Sequence, residues 1–333
     1  MKSRLTLIFF FFSFTVNAQE ADTTVYKSVA AIDTFGKGSV FKKIKGREWT
    51  TSVRVPLLDL HDSHGFRPFA IEGGDQSKSL RLVSEMEKEY MLRSVKNICS
   101  SRACQHPYAI MALGPMLNAL GIAHSSPRLV YVAHQSALDT FDAKFGDDLY
   151  ILEDRPEGDW SNSANMGNFA VFTRTDTVIK NIQKDKLYRV DQRLLMVERL
   201  FDILIGDWNK DQNAWRWGNR TENNIVFYVP VPCDRREAFN FEMPVKKALV
   251  SNPGPLNVDR LFFKGMSQAD CMDAVTFIQQ RLTDDIIERS VRRLPPEIFA
   301  ISGQQIITSL KQRREKLPDL TRSYYLLLAR KSK

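Results

Sequence analysis

Cysteine, histidine and long apolar runs are scarce in this sequence, and each scarcity excludes a class of protein. Four cysteines and five histidines among 333 residues form no CxxC pair and no Cys/His spacing that would hold zinc. No GxSxG segment or Cys/His nucleophile arrangement indicates a hydrolase. Beyond residue 18, no segment approaches the roughly 20 apolar residues that a membrane span requires. We therefore expect no transmembrane segment in the mature chain.

The start of the chain has the form of a secretory signal peptide. Lys2 and Arg4 precede an apolar run over residues 5–16, and Ala18 ends a small-residue cleavage site. We expect residues 1–18 to be removed and the mature protein to be periplasmic or secreted. In such an oxidising compartment, Cys99 and Cys104 can form a local disulfide.

Basic residues are in moderate excess and are scattered along the chain. The formal net charge is +8, and loss of Lys2 and Arg4 with the signal peptide leaves +6. Aromatic residues are not interleaved with the basic ones, so a nucleic-acid groove is not expected. A phosphate-bearing ligand suits this charge.

A polar segment after Arg155 divides the chain into two predicted lobes. Over residues 50–95, apolar and polar residues alternate between turn signals, which predicts strands, and SLRLV with EYMLRSV predicts a hairpin. After residue 155, nearly everything predicts helix except a hairpin over residues 215–231. We therefore predict an α+β, two-lobed fold with a β-rich N-lobe (residues 19–155) and a mainly helical C-lobe (residues 156–333).

Caps locate several of the predicted helices. Asp191 is a good N-cap for a helix that Gly206 ends. Ser302 with Gln305 has the spacing of a capping box at the start of another helix. Gly121 is the expected end of a helix from residue 106, which Gly114 and Pro115 can interrupt. Further helices are predicted at residues 267–282, 284–293, 302–316 and 318–331.

The chemistry is expected in residues 201–239, where a helix leads through NKDQN into the hairpin and then to Asp234. Metal-assisted phosphoryl transfer needs such an order: a loop with a base and a metal ligand, facing a second carboxylate on the same metal. An ordinary helix-to-hairpin connection has the same pattern. Trp215 and Trp217 point the same way from the first hairpin strand, either to stack on a ligand or to pack against helices.

The order of these segments resembles an atypical, secreted or periplasmic kinase-like family of Gram-negative bacteria, distantly like secretory-pathway casein kinases and spore-coat kinases. That family's pattern contains GGG-x-Q-T-x-SLRL, YVLRSV, LFD-x-L-IGDWDRH-x-DQWRW and PRDRDQAF. This chain has GGDQSKSLRL, EYMLRSV, LFDILIGDWNKDQNAWRW and PCDRREAF. The likeness covers most of the mature chain and implies a protein-kinase-like fold.

The resemblance also implies a metal and a base. Asp234 corresponds to the carboxylate that holds Mg²⁺ or Mn²⁺ with ATP, and Asn213 is a further candidate ligand; an ion pair of Asp234 with Arg235 or Arg236 is the alternative. The family's Asp-Arg-His is replaced here by Asn-Lys-Asp at residues 209–211. Because asparagine cannot accept a proton as a carboxylate does, Asp207 and Asp211 are the candidate bases. The alternatives are that Asp207 caps the loop through backbone amides and that Asp211 pairs with Lys210.

Nucleotide contacts are expected from the N-lobe. Arg93, or Lys96 as the alternative, corresponds to the phosphate-binding cation of the strand, and the amides of Gly73 and Gly74 can approach phosphates. Glu153 follows an apolar strand where the backbone of an interlobe hinge would contact adenine. The alternative for Gly73 and Gly74 is an ordinary turn, and the alternative for Arg93, Lys96 and Glu153 is an ordinary strand charge.

Two functions follow from this site. The first is a kinase-like enzyme that binds ATP with Mg²⁺ or Mn²⁺ between the lobes and phosphorylates an unknown acceptor. The second is an inactive pseudokinase that serves as an interaction or scaffold module for an envelope protein. The substituted residues 209–211 favour the second.

Overall fold

The computed structural model describes residues 25–32, 46–61, 65–72, 79–96, 106–208, 210–251 and 253–329. The predicted signal peptide, the Gly73 and Gly74 turn, the Cys99 and Cys104 pair, and Asn209 lie outside these residues. Within the described part of the chain, no helix has both the length and the apolar character needed to span a membrane.

Strands dominate the N-terminal part. β1 (Tyr26–Ala30) and β2 (Ser52–Pro56) form a two-stranded antiparallel sheet. A five-stranded antiparallel sheet has the order β3-β4-β5-β7-β6. Its strands are β3 (Arg67–Glu72), β4 (Ser79–Val83), β5 (Glu89–Ser94), β6 (Arg128–Val132) and β7 (Asp148–Asp154). The predicted hairpin of SLRLV and EYMLRSV is therefore confirmed as β4 and β5.

Both faces of the five-stranded sheet are covered. Along β7, Leu149 and Ile151 belong to the core shared with the helices, whereas Tyr150 and Leu152 belong to a second apolar cluster on the opposite face. Successive side chains of a strand alternate between faces. Glu153 therefore lies on the Ile151 face of β7, towards the helical part.

Helices dominate the C-terminal part, which also contains a second sheet. β8 (Thr173–Arg174), β9 (Tyr188–Val190), β10 (Trp215–Glu222) and β11 (Ile225–Pro232) form this sheet in the order β8-β10-β11-β9. The predicted hairpin is thus confirmed as β10 and β11, but two short strands extend it to four. The α+β class, with a strand-rich N-terminal part and a mainly helical C-terminal part, is confirmed.

The helices are α1 (Gly114–Leu120), α2 (Asp142–Phe145), α3 (Thr175–Lys184), α4 (Gln192–Ile205), α5 (Val245–Ser251), α6 (Pro253–Phe262), α7 (Gln268–Arg281), α8 (Asp284–Val291), α9 (Pro296–Ile298), α10 (Gln304–Glu315) and α11 (Leu317–Ala329). A π-helical segment, Phe299–Gly303, joins α9 to α10. The boundary between residues 155 and 156 stays a prediction.

Helix α4 is central to the fold, and its predicted ends are confirmed. The Asp191 carboxylate accepts a hydrogen bond from the Leu194 amide at 3.0 Å, as an N-cap does. Gly206 ends the helix with φ of 73°, and a Cβ there would lie 2.7 Å from the Asn240 carbonyl oxygen. Glycine is therefore required at this position for both its conformation and its size.

One helix prediction is right only in part, and one predicted cap is wrong. Residues 106–120 do not form one helix, because α1 starts only at Gly114, with Pro115 in the first turn where its missing N–H costs nothing, but the helix ends at Gly121 as predicted. Ser302 and Gln305 form no capping box. Ser302 is buried in the π-helical segment, and its hydroxyl donates to the Ile298 carbonyl at 3.5 Å. The chain is therefore already helical before the position where a cap was predicted.

Candidate functional site

A cleft of about 310 Å³ lies between the five-stranded sheet and the β10–β11 hairpin. Its walls come from β5, from β7 and the segment after it, from the loop before β10, and from the end of β11. The structure brings five of the predicted site residues to this cleft: Arg93, Glu153, Asp211, Asn213 and Asp234. Residues far apart in the sequence therefore converge on one opening, as the predicted site required.

Arg93 and Glu153 form an ion pair on neighbouring strands of the sheet. Arg93 Nε donates to Glu153 Oε2 at 2.7 Å, and the two side chains are 18% and 6% exposed. Burial raises the pKa of Glu153, and the Arg93 charge opposes that rise. The carboxylate of Glu153 thus holds the Arg93 guanidinium at the cleft wall. Lys96, the alternative cation, is exposed and lies outside this cleft.

Asp234 follows β11 and is tied to the loop before β10, because the Cys233 amide donates to the Ala214 carbonyl at 2.9 Å. Its carboxylate is held by Arg236. Oδ1 accepts from the Arg236 amide at 3.0 Å and from Nε at 2.8 Å, and Oδ2 accepts from Nε at 2.7 Å and pairs with Nη2. Burial opposes ionisation, but the Arg236 charge and hydrogen bonds outweigh it and lower the pKa of Asp234 to about 2.

These contacts decide how well the site suits a divalent ion. A carboxylate offers about four lone-pair positions, and Arg236 makes four contacts with that of Asp234. In the described part of the chain, no three His, Cys, Asp or Glu side chains are grouped as metal ligands. Arg236 would have to move before Asp234 could hold Mg²⁺ or Mn²⁺. The possible ligand atoms, as arranged here, therefore do not fit a bound divalent ion.

Asp207 lies outside the cleft. It is 3% exposed, and Lys210 Nζ donates to its Oδ2 at 2.7 Å. Burial raises the pKa of Asp207, whereas the Lys210 charge lowers it. An ion-paired carboxylate without access to the cleft is poorly placed to accept a substrate proton.

Asp211 and Asn213 are exposed and line the cleft. Asp211 Oδ1 accepts from the Asn213 amide at 2.8 Å, which fixes the loop just before β10. Asp211 is therefore the candidate base that the structure does bring to the cleft. The catalytic and metal-binding roles of these residues stay predictions.

Two arginines of the cleft, Arg155 and Arg216, were missed in the sequence, whereas Arg236 was considered there as an ion-pair partner of Asp234, and that pair is confirmed. Arg216 Nε donates to Glu157 Oε1 at 2.8 Å, and Arg155 Nη2 lies 3.1 Å from Glu72 Oε2. The alternation of side chains along β10 predicts which way Arg216 points. Trp215 and Trp217 are buried on one side of β10, which places Arg216 on the other side. The tryptophans thus pack in the core and are not available to stack on a ligand.

A buried network of charges lies beneath the cleft. Lys210 Nζ lies 2.7 Å from Asp207 and 3.3 Å from Asp202. Arg235 pairs with Asp202 at 3.3 Å and with Glu198. Burial raises the pKa of Glu198 to about 7, although the Arg235 charge opposes this. The network joins α4 to the loop before β10 and to Arg235, the residue after Asp234, and so links two of the segments that line the cleft.

No protein-family model matches the chain, and no curated protein matches it. Among solved structures, the chain is similar to the proinflammatory kinase CtkA of Helicobacter pylori, with a TM-score of 0.44 and 14% sequence identity over 78% of this chain and 96% of that chain. That similarity is too low to support an argument about chemistry.

Proposed function

We propose that this protein binds a nucleotide in the cleft between the five-stranded sheet and the β10–β11 hairpin. One observation carries the proposal: four arginines from separate segments, Arg93, Arg155, Arg216 and Arg236, line the same opening. Guanidinium groups bind phosphate oxygens with two parallel hydrogen bonds, which makes them the preferred side chains for phosphate recognition. The apolar part of the wall is formed by Met91, Met166 and Val231, and such a surface suits the nucleobase of a nucleotide.

Phosphoryl transfer is the finer form of this proposal. Catalysis would then depend on positioning and on neutralisation of phosphate charge by the arginines. Asp211, which is exposed at the cleft, would accept the proton of the acceptor hydroxyl. The acceptor itself is not identified by any feature of the cleft.

An inactive nucleotide-binding module is the second candidate, and two specific observations favour it. Asp207 is sequestered by Lys210, and the Asp234 carboxylate is occupied by Arg236. Both carboxylates of the kinase-like pattern are thus engaged by cations of the protein. Such a module would act through an envelope protein partner.

Thermal unfolding with increasing ATP tests nucleotide binding. A ligand that binds only the folded state stabilises it by about 2.7 kcal/mol at a concentration 100 times Kd, so Tm should rise by several degrees. Arg93→Gln and Arg216→Gln should each reduce the rise, whereas Arg289→Gln, on an exposed side chain of α8, should not. No rise in Tm at millimolar ATP contradicts the proposal.

Transfer of radiolabelled γ-phosphate to water or to an added protein separates the two candidates. An active enzyme should lose about 10²-fold or more of its rate in Asp211→Asn while keeping the ATP-induced rise in Tm. Nucleotide binding without any transfer selects the inactive module.

Export to the periplasm or medium is a further part of the proposal, supported by the form of residues 1–18. N-terminal sequencing of the protein from fractionated cells should find a chain that begins at Gln19. A full-length cytoplasmic protein contradicts it.

A further inference from the structure

Arg236 occupies the carboxylate of Asp234, the residue at which the sequence predicts a divalent cation. Its side chain and its own amide together make four contacts with the Asp234 carboxylate, and both side chains are about 30% exposed to the cleft. An arginine is always charged and carries five N–H donors in a rigid plane. It can therefore hold a carboxylate with one edge and a phosphate with another.

The sequence around Asp234 keeps this arrangement local. Arg236 is two residues from Asp234, and the backbone amide of Arg236 is one of the donors to Oδ1. The turn thus brings the cation to the carboxylate without help from another element. Arg235, between them, points the other way and is buried with Glu198 and Asp202. The two consecutive arginines therefore have different partners.

Arginines engage three more of the carboxylates that line the cleft: Arg93 pairs with Glu153, Arg155 with Glu72, and Arg216 with Glu157. Asp154 instead accepts hydrogen bonds from the Ser126 amide and Asn165, and Asp211 accepts one from the Asn213 amide. A metal ion would need carboxylate or amide oxygens that are open to it. In this cleft the guanidinium of Arg236 already occupies the carboxylate oxygens of Asp234, which follows β11.

We propose that Arg236 replaces the divalent cation, so that this cleft binds the phosphates of a nucleotide without Mg²⁺ or Mn²⁺. The inference rests on the proposed nucleotide-binding function for its ligand, but the pairing of Arg236 with Asp234 is tested separately below. In this arrangement Asp234 orients Arg236, and Arg236 contacts the phosphates. Removal of Arg236 leaves the Asp234 carboxylate open to a metal ion.

Calorimetric titration of the wild type with ATP in EDTA, and again in Mg²⁺, tests metal independence without any variant. The two Kd values should agree within about threefold. Arg236→Gln should weaken ATP binding in EDTA by about tenfold or more, which corresponds to one lost charged hydrogen bond, and Mg²⁺ should restore it. Loss of wild-type binding in EDTA overturns the proposal.

Binding of Mn²⁺ alone, followed by its EPR signal, tests the pairing even if no nucleotide binds. Wild type should bind no Mn²⁺ at this site, Arg236→Gln should gain one Mn²⁺, and the double variant Arg236→Gln, Asp234→Asn should lose it again. Asp285→Asn, on an exposed carboxylate of α8, should have no effect in the Arg236→Gln background.

A wild-type Mn²⁺ site that Asp234→Asn removes contradicts the proposal. An Arg236→Gln variant that is folded by circular dichroism and gains no Mn²⁺ also contradicts it. Absence of ATP binding under every condition, with the Mn²⁺ results as expected, would instead refute the proposed nucleotide function.

Discussion

Some side chains in the core are polar, and burial there favours only the protonation state that their hydrogen-bond partners require. His106 is 5% exposed, accepts a hydrogen bond on Nδ1 from the Tyr108 amide at 3.2 Å, and lies with Nε2 3.3 Å from the Ser302 hydroxyl. The ring must therefore be neutral, with its hydrogen on Nε2. Burial lowers the pKa of His106 to about 3.

We predict that His106 makes the protein sensitive to acid. The unfolded state takes up a proton near pH 6.5, whereas the folded state does so only near pH 3. The folded state therefore loses up to about 1.4 kcal/mol per pH unit as the pH falls between these values. In urea unfolding at pH 7 and pH 5, His106→Gln should show a smaller loss of stability than wild type. His61→Gln, at an exposed position, should behave as wild type; equal losses in both variants would contradict the prediction.

Arg313 of α10 stabilises the end of α4. Its Nε donates to the Leu204 carbonyl at 2.8 Å and its Nη2 to the Ile203 carbonyl at 2.5 Å. We expect Arg313→Met to lower the free energy of unfolding by about 1–3 kcal/mol, because these last-turn carbonyls lose their partner in a buried setting. Arg322→Met, on a side chain that is 53% exposed, is the control for urea unfolding. A cost equal to that of the control would show that the carbonyls find other partners.

At the scale of the element, α4 and the loop after it position two of the segments that line the cleft, the loop before β10 and the turn after β11. Asp191 begins this helix, Gly206 ends it, and Lys210 in the following loop returns to pair with Asp202 inside the helix. A helix and its loop are thus joined by one buried ion cluster. Removing one partner of such a cluster leaves an uncompensated buried charge.

We predict that Lys210→Met destabilises the fold by about 3–5 kcal/mol, because the buried Asp207 loses its ion-pair partner, whereas Asp202 keeps Arg199 and Arg235. Denaturant unfolding measures this loss. Lys180→Met, on an exposed face of α3, should change stability by less than about 0.5 kcal/mol. If Lys210→Met is as stable as that control, the cluster contributes no more than a surface pair.

Loss of the N-cap should have a smaller effect. Asp191→Ala removes the acceptor for the Leu194 amide, and we expect a cost of about 1 kcal/mol, measured by the same denaturant unfolding. Asp285→Ala, in the first turn of α8 but not at its N-cap, is the matched control. Equal effects of the two substitutions would mean that the cap adds nothing beyond helix-dipole charge.

Local signals in the sequence were sufficient for the ends of α4 and for the β4–β5 and β10–β11 hairpins. Asp191, Gly206 and the alternation in SLRLV each act through neighbours in the chain. The same reasoning failed for Ser302, because burial against other helices changed what its hydroxyl contacts. It also could not show that Glu198 and Asp202 on α4 are buried, since their partner Arg235 is more than thirty residues away.

The candidate site was predictable to a similar extent. Asp234 and Arg93 were found through their positions at and along strands. Arg155 and Arg216 were missed, because a cleft formed by two sheets depends on how the sheets pack and not on any local pattern. Asp207 was predicted as a base from its place in the loop, and Lys210, three residues away, is what keeps it from the cleft.

At the scale of the molecule, the cleft is the place where the N-terminal sheet and the C-terminal hairpin face one another. Arg93 belongs to the first, Arg216 to the second, and neither part alone carries all four arginines. A phosphate-bearing ligand would therefore bind both parts at once and stabilise their arrangement. The proposed function requires a nucleotide at this position.

Photoaffinity labelling with an azido-substituted ATP, followed by mass spectrometry of the labelled peptides, tests that occupancy most directly. We predict saturable labelling, competed by ATP, on peptides that contain Met91, Met166 or Val231. Arg216→Gln should reduce the labelling, and Arg289→Gln should not. Labelling that ATP does not compete, or that falls only on peptides away from the cleft, would contradict the account.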